Sequence, residues 1–484
     1  MQADYKTNVE ILKTRFHAEI NEDFVCREIS PHNVPIAVCF LDGMVKRDDT
    51  EENVIKPLLR MLPFGDSAPE KRCKVLLSKV LPTGTGKEVF DFEEVVGAIL
   101  AGCGVVLVEG CPSAILIELQ GFDKRGVEQP LTENVVFAPH QAFTESIRTN
   151  LTLMHRILHT ENLTVETLKI GEITGTKVAL LYLHGFTNDE LVQKTRKKLK
   201  NIRTDKLLSM GQLAQLIEEH PCSLFPQSLQ TERPDRAAAF LTEGMVVLLC
   251  DGAPYALVAP AVLFSFLHTP DDHALKWQYG TFLRLVRIIG TLLSLLLPAV
   301  YNAVLLFHQE LLPTDLLTSL MEGYTLVPFS VTGELLIMNF VFDLIGEASL
   351  RMPGSMGSAL GIVGGLVLGQ AAVSANLISP MLIIIVSVTG LGLFAVPSYP
   401  LSVAVRILRV GLILVSTLAG FAGISVCLLL LLASLSAQES LNVPYLSPLT
   451  PKMPHNKDIF FRFPTKTLNQ TPDMAHPVGK GGTK

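Results

Sequence analysis

The sequence predicts an α+β soluble N-terminal region of two related subdomains, followed by an α-helical polytopic membrane domain of four or five segments. Three observations predict it. Residues 281–435 carry only 11 Asp, Glu, Lys and Arg, against 75 in the remaining 329 residues. Short Val-rich runs ended by turn residues recur through the first 260 residues, the mark of strands. After residue 280 come apolar stretches long enough to span a bilayer. A length of 484 residues allows about three folded units at ~150 residues each. The boundaries fall at 1–125 and 126–280 for the two α+β subdomains (the second with a connector), 281–435 for the transmembrane helical domain, and 436–484 for a polar, Pro-rich tail.

The balance of 40 Lys and Arg against 46 Asp and Glu, a net charge of −6, gives no general attraction to nucleic acid. Residues 1–19 have no apolar core of the signal-peptide kind, so insertion falls to the internal segments.

In the soluble region, helical spacing covers residues 8–16 and 189–202, the second with a basic face of Lys194, Arg196, Lys197, Lys198 and Lys200. Such a run is read first as a solvated helix surface. Four strand-like runs end at Asp42–Gly43, Glu109–Gly110, His184–Gly185 and Asp251–Gly252, and each is expected to lead into a hairpin. GVVLVEGCPSAILI and MVVLLCDGAPYALV resemble two copies of one hairpin.

Nothing in this region assembles into chemistry. Thr83–Gly84–Thr85–Gly86–Lys87 lacks the glycine and the Ser or Thr that a phosphate loop needs, since Leu81 and Glu88 occupy those positions. The eight cysteines form no CxxC pair and read as isolated small apolar residues in a reducing compartment. The histidines are scattered. No catalytic residue, metal site or cofactor is expected, and an enzyme is not.

The first membrane segment spans 285–307, with Lys276, Arg284 and Arg287 marking a cytoplasmic start. The second, 326–345, carries Glu334 and Asp343, with Glu347 just beyond. Acids at that depth face a bundle interior or a wet cavity, unless the helix lies on the membrane surface. The third is marked by Gly357, Gly361, Gly365 and Gly369, a four-residue stripe suited to close helix packing. If that helix lines a pore, its apolar side, which holds Leu366 and Val367, would make a dewetting gate. The fourth and fifth lie at 380–396 and 410–432. Arg351, Arg406 and Arg409 favour five crossings, while the six Lys and Arg of the tail favour four.

A family resemblance rests on particular residues. These are Phe225–Pro226–Gln227, Thr231–Glu232–Arg233–Pro234–Asp235, Asp251–Gly252, Thr269–Pro270–Asp271–Asp272 and Trp277. They continue through Phe307–His308–Gln309–Glu310–Leu311–Leu312–Pro313, Glu347, Arg351 and Pro353, then the stretch from Gly361 to Val373, Pro397, Arg406 and Pro444–Tyr445. This pattern resembles the A subunit of GerA-type spore germinant receptors over about residues 130–450. It departs at Phe137–Ala138–Pro139 and at His155–Arg156, where the family often has Arg–Gly–Pro and arginines. The resemblance implies a subunit of a spore inner-membrane receptor, with its N-terminal domain and tail in the spore core. Its implied partners are a transporter-like B subunit that holds the nutrient, a lipoprotein C subunit, membrane lipid and further copies of itself. Together the copies would form a nutrient-gated ion channel that triggers germination, with Leu366 and Val367 as candidates for its apolar pore constriction and Glu334 and Glu347 for charges on its ion pathway. The paralogous stage V sporulation protein AF, which accompanies dipicolinate release, has the same architecture. A secondary transporter would need an inverted repeat that the segments do not show, and a membrane scaffold is the remaining alternative.

Overall fold

The computed structural model describes residues 1–2, 4–64, 68–81, 86–119, 130, 133, 135, 137–324, 327–351, 369–450 and 458–464. Two antiparallel five-stranded sheets build the N-terminal part. The first comprises β1 (Phe24–Ile29), β2 (Ile36–Leu41), β3 (Lys87–Val89), β4 (Cys103–Val108) and β5 (Ala114–Glu118), in the order β1-β2-β4-β5-β3. The second comprises β6 (Leu163–Ile170), β7 (Thr176–Leu183), β8 (Leu229–Thr231), β9 (Val246–Cys250) and β10 (Ala256–Ala259), in the order β6-β7-β9-β10-β8. One topology is used twice.

The central strands are apolar without alternation because both faces of each sheet are covered. In β2, Ala37, Cys39 and Leu41 enter one core cluster, while Ile36, Val38 and Phe40 enter another. Helices α1 (Tyr5–Arg15) and α2 (Phe92–Leu100) cover the first of these faces, through Tyr5, Val9, Leu12, Val95 and Ile99.

The hairpin expectation holds for half of the four runs. Glu109–Gly110 joins β4 to β5, and Asp251–Gly252 joins β9 to β10. The runs ending at Asp42–Gly43 and His184–Gly185 are instead the second strands of the β1–β2 and β6–β7 hairpins, and from them the chain leaves the sheet. An acid or His before Gly marks a strand end and does not fix which way the chain goes next.

Four helices complete the second unit: α3 (Ile147–Ile157), α4 (Asp189–Asn201), α5 (Met210–Ile217) and α6 (Pro234–Thr242). The basic face of α4 is partly turned onto its own domain. Arg196 lies 2.5 Å from Glu166, Lys194 lies 2.5 Å from Glu219, and only Lys197 and Lys200 are exposed.

The helical part contains α7 (Trp277–Phe307), α8 (Thr314–Tyr324), α9 (Val331–Arg351), α10 (Pro380–Phe394) and α11 (Tyr399–Ala437). Among the described residues, α7 and α11 are long and apolar enough to cross a membrane. Helix α10 is apolar but has 15 residues. The third expected segment lies mostly outside the described residues.

Helix α11 is not one rod, which corrects the single segment read at 410–432. Thirty-nine residues at 1.5 Å each would extend about 58 Å. Yet Leu401 and Leu435, near its two ends, belong to the same core cluster. The helix doubles back at Ala419–Gly420, where Gly420 has φ +54°, and a Cβ on Gly423 would lie 2.8 Å from the carbonyl oxygen of Val415. The second sheet's core also takes in Val396, Leu441, Tyr445 and Leu446, so the bundle's near end and the tail share that core.

Candidate functional site

Two clusters of buried polar groups stand out, one inside the helical bundle and one where the bundle meets the sheets. The first lies toward the end far from the sheets. Glu334, on the first turn of α9, has no exposed surface; its Oε2 accepts from the Ser379 N–H at 3.5 Å. Its Oε1 finds no hydrogen-bond partner among the described residues. Around it, Ser379 Oγ donates to Tyr324 Oη at 3.3 Å, and the Tyr324 and Tyr301 hydroxyls are 2.8 Å apart. Close by, Asn302 of α7 donates to Ser416 and Thr417 of α11, each at 2.9 Å, and accepts from Thr332 of α9 at 3.0 Å. Helices α7, α9, α10 and α11 therefore meet through hydrogen bonds, which hold their register where apolar packing alone would let them slide.

Toward the sheet side of α9, Asp343 accepts from Arg409 at 3.0 Å through both oxygens, with Arg406 at 3.7 Å. This ion pair was absent from the sequence reading; an acid in α9 facing two arginines in another apolar segment was its only signal. Glu347 stands one turn beyond Asp343, partly buried. Glu334 and Glu347 are thirteen residues apart, about 20 Å along the helix and on different faces. The structure does not bring these two candidate pathway charges together.

Gly357, Gly361, Gly365, Leu366 and Val367 lie outside the described residues. Gly369 is buried, but a Cβ there would meet Ile383 at an ordinary 3.7 Å, so its packing does not demand glycine. The close helix approach is elsewhere. A Cβ on Gly392 of α10 would come within 2.4 Å of the Gly290 carbonyl oxygen on α7. That pair was missed because the two glycines share no stripe.

The second cluster is the junction. Asp272, fully buried, lies 2.9 Å from Arg287 and 3.5 Å from Arg284, both on the first turns of α7. Arg284, also fully buried, reaches Asp458 in the tail at 2.8 Å. Arg462 donates to the carbonyls of Leu275 and His273 at 2.9 and 3.1 Å. His268 contacts the Ile459 carbonyl at 3.0 Å; burial, and then the Arg284 guanidinium, push its imidazole down to about 4. Glu243 moves the other way, up to about 7, through burial and then Asp458.

Further along, Ser440 Oγ donates to the Gln227 carbonyl at 2.7 Å, Tyr445 Oη to the Pro226 carbonyl at 2.8 Å, and the Leu263 N–H to the Tyr445 carbonyl at 3.0 Å. Phe225–Pro226–Gln227 and Pro444–Tyr445 thus meet: these widely separated segments are two sides of one contact. The chain after α11 is therefore bound to the second sheet and to the start of α7.

A third contact joins the two sheets. His155 of α3 lies 2.8 Å from Asp23, both buried. Arg148 donates to the carbonyls of Asp42 and Val45 at 2.8 and 2.9 Å. Asn21 bridges to Leu163 and Val165 of β6. At the departure from the family pattern, a histidine faces the Asp23 carboxylate.

A model of the family described as Bacillus/Clostridium GerA spore germination protein matches residues 10–474. The chain belongs to the GerA family. The match extends well beyond the 130–450 read from motifs. Among its relatives, spore germination protein KA of Bacillus subtilis (strain 168) is 33% identical over 474 residues, 97% of this chain and 87% of that protein. Spore germination protein GerLA of Bacillus cereus is 35% identical over 439 residues, 90% and 88% of the two chains. Among solved structures, the N-terminal domain of the A subunit of the Bacillus megaterium spore germinant receptor GerK3 is 28% identical. It covers 54% of this chain and 97% of its own, with a TM-score of 0.43. As a GerA-family chain, the protein places its buried polar groups in the bundle and at the junction, and among the described residues no group of three or more potential ligands could hold a metal.

Proposed function

We propose that this chain is the A subunit of a spore germinant receptor in the spore inner membrane, working with a transporter-like B subunit and a lipoprotein C subunit. In this reading copies associate through the Gly357, Gly361, Gly365 and Gly369 stripe into a nutrient-gated ion channel, with Leu366 and Val367 at its constriction. The observation that carries the reading is the family match over residues 10–474. The bundle adds physical support. An acid with an unpartnered oxygen in an apolar bundle is costly, and such groups are kept where a proton or cation binds. Glu334 is therefore assigned to the ion pathway, and Glu347 to its sheet-side end.

A ligand on a partner subunit opens this chain only by favouring its open state, so the signal passes through a contact that differs between states. The junction suits that role because it ties the sheets, the start of α7 and the tail into one unit. With the tail bound to the sheets, this reading takes an even number of passes and puts both in the spore core.

The test is potassium release from spores lacking the gene, triggered with a panel of amino acids and sugars. Loss of early release to one nutrient, with the others intact, is the expected result. Normal early release with slowed dipicolinate exit to every trigger would assign the chain to the stage V paralog instead. In complemented spores, Glu334→Gln is expected to reduce the rate of potassium release at unchanged protein level.

A further inference from the structure

Five of the eight cysteines lie in the first α+β unit, and two of them face each other. Cys26 of β1 and Cys39 of β2 are direct register partners in the antiparallel pair, and their sulfurs are 3.0 Å apart. Direct cross-strand partners have Cβ atoms about 4.5–5.5 Å apart, so the two strands need to close by only about 1 Å for a disulfide, which spans about 3.5–4.5 Å. The two thiols are not equivalent. Cys39 is buried in the core beneath the sheet, while Cys26 is half-exposed on a strand at the sheet's edge. Lys13 stands by Cys26, held 2.7 Å from Glu28. The Cys39 S–H, and to a lesser degree the Lys13 ammonium, lower the Cys26 thiol, while the neighbouring Cys26 sulfur and burial hold the Cys39 thiol well above its ordinary value. One sulfur is thus the nucleophile and the other the resolving thiol.

We propose that Cys26 and Cys39 form a hydroperoxide-sensitive dithiol that closes into a cross-strand disulfide joining β1 to β2. The Cys26 thiolate attacks the peroxide; the O–O bond breaks, a sulfenic acid forms on Cys26, and the alkoxide or hydroxide leaves and takes up a proton. The Cys39 sulfur then attacks the Cys26 sulfur, the S–O bond breaks, and hydroxide leaves as water with the Cys39 proton. Two thiols are oxidised and one peroxide is reduced. The location gives the step a consequence. Phe24 pairs with Leu41 two residues along, and the next pair, Asp23 and Asp42, holds His155 and Arg148 of the second unit. The disulfide would staple the strands that carry this contact.

The experiment uses the full chain in membranes, exposed to hydrogen peroxide, alkylated with N-ethylmaleimide, digested and analysed by mass spectrometry. The expected product is a linked Cys26–Cys39 peptide, two hydrogens lighter than the pair of thiol peptides, with both alkylations restored by dithiothreitol. Amide exchange across Phe24–Ile29 is expected to slow at least threefold in the oxidised form and to recover on reduction. Cys73 and Cys111, a second pair of neighbouring thiols that also donate to the carbonyls of Ser113 and Pro69, serve as the internal comparison, since neither lies on an edge strand of the sheet. Full alkylation of Cys26 and Cys39 after peroxide, sulfinic acid on Cys26 with Cys39 still reduced, or a link at Cys73–Cys111 alone would each overturn the proposal.

Discussion

Asp272 compensates two guanidinium groups in a site closed to water, so its neutral isostere exposes what the pair is worth. Asp272→Asn leaves Arg287 without its carboxylate partner and Arg284 with Asp458 only. Breaking a buried pair costs about 3–5 kcal/mol, and a lower melting temperature of the purified full chain is the expected reading. The same junction titrates in two opposed ways. His268 is ordinarily protonated below 6.5 but in the fold only near 4, so between these values the unfolded chain binds more protons and acidification removes stability. Glu243 is ordinarily protonated below 4.5 but in the fold already near 7, so acidification through that range adds stability. The two act in opposite directions in the native protein. His268→Gln is expected to raise stability at pH 5 relative to pH 7, and Glu243→Gln to lower it. Melting temperatures of the two variants that shift in the same direction would refute the opposed pair.

At the scale of elements, the close crossing of α7 and α10 and the turn within α11 decide the shape of the bundle. Gly392→Ala forces a methyl group to within 2.4 Å of a backbone carbonyl that cannot move aside. Overpacking of this kind costs about 1–3 kcal/mol. Gly369→Ala meets only Ile383 side-chain atoms at van der Waals distance and should be tolerated. Melting both variants in detergent checks the contrast. Most element types were legible because their signals are local. The Val-rich runs are strands β2, β4, β7 and β9, and the expected helices at 8–16 and 189–202 appear as α1 and α4 within a few residues. What the chain did next was not legible. A two-residue strand end looks alike whether it opens or closes a hairpin, and a 39-residue apolar run conceals its turn at a glycine that composition does not distinguish. The candidate site was read by type and missed by pairing. Glu334 was found as an acid in an apolar segment, but its neighbours Tyr301 of α7, Tyr324 of α8 and Ser379, just before α10, are related by no spacing.

For the molecule as a whole, the tail decides whether sheets and bundle behave as two bodies or one. A polar, Pro-rich composition gives little reason to expect order, yet Leu441, Tyr445 and Leu446 complete the core of the second sheet. Tyr445 is the centre of this contact: it has no exposed surface, and its hydroxyl, N–H and carbonyl bond to Pro226, Gln438 and Leu263 respectively. Tyr445→Phe removes one neutral hydrogen bond and should cost about 1 kcal/mol. Tyr445→Ala also empties a ring-sized space and should cost about 3–5 kcal/mol, releasing the start of the tail locally before the rest of the fold unfolds. Amide exchange should then rise over residues 438–449 and at Leu263 in the alanine variant, and hardly at all in the phenylalanine one. If the junction carries the signal between a partner subunit and the bundle, spores with Tyr445→Ala should release potassium slowly in response to nutrient, at normal protein level. Spores with Tyr445→Phe should respond as wild type. A freed tail with unchanged potassium release would show that the signal reaches the helices without passing through the tail, and would leave direct contact between partner and bundle as the coupling route.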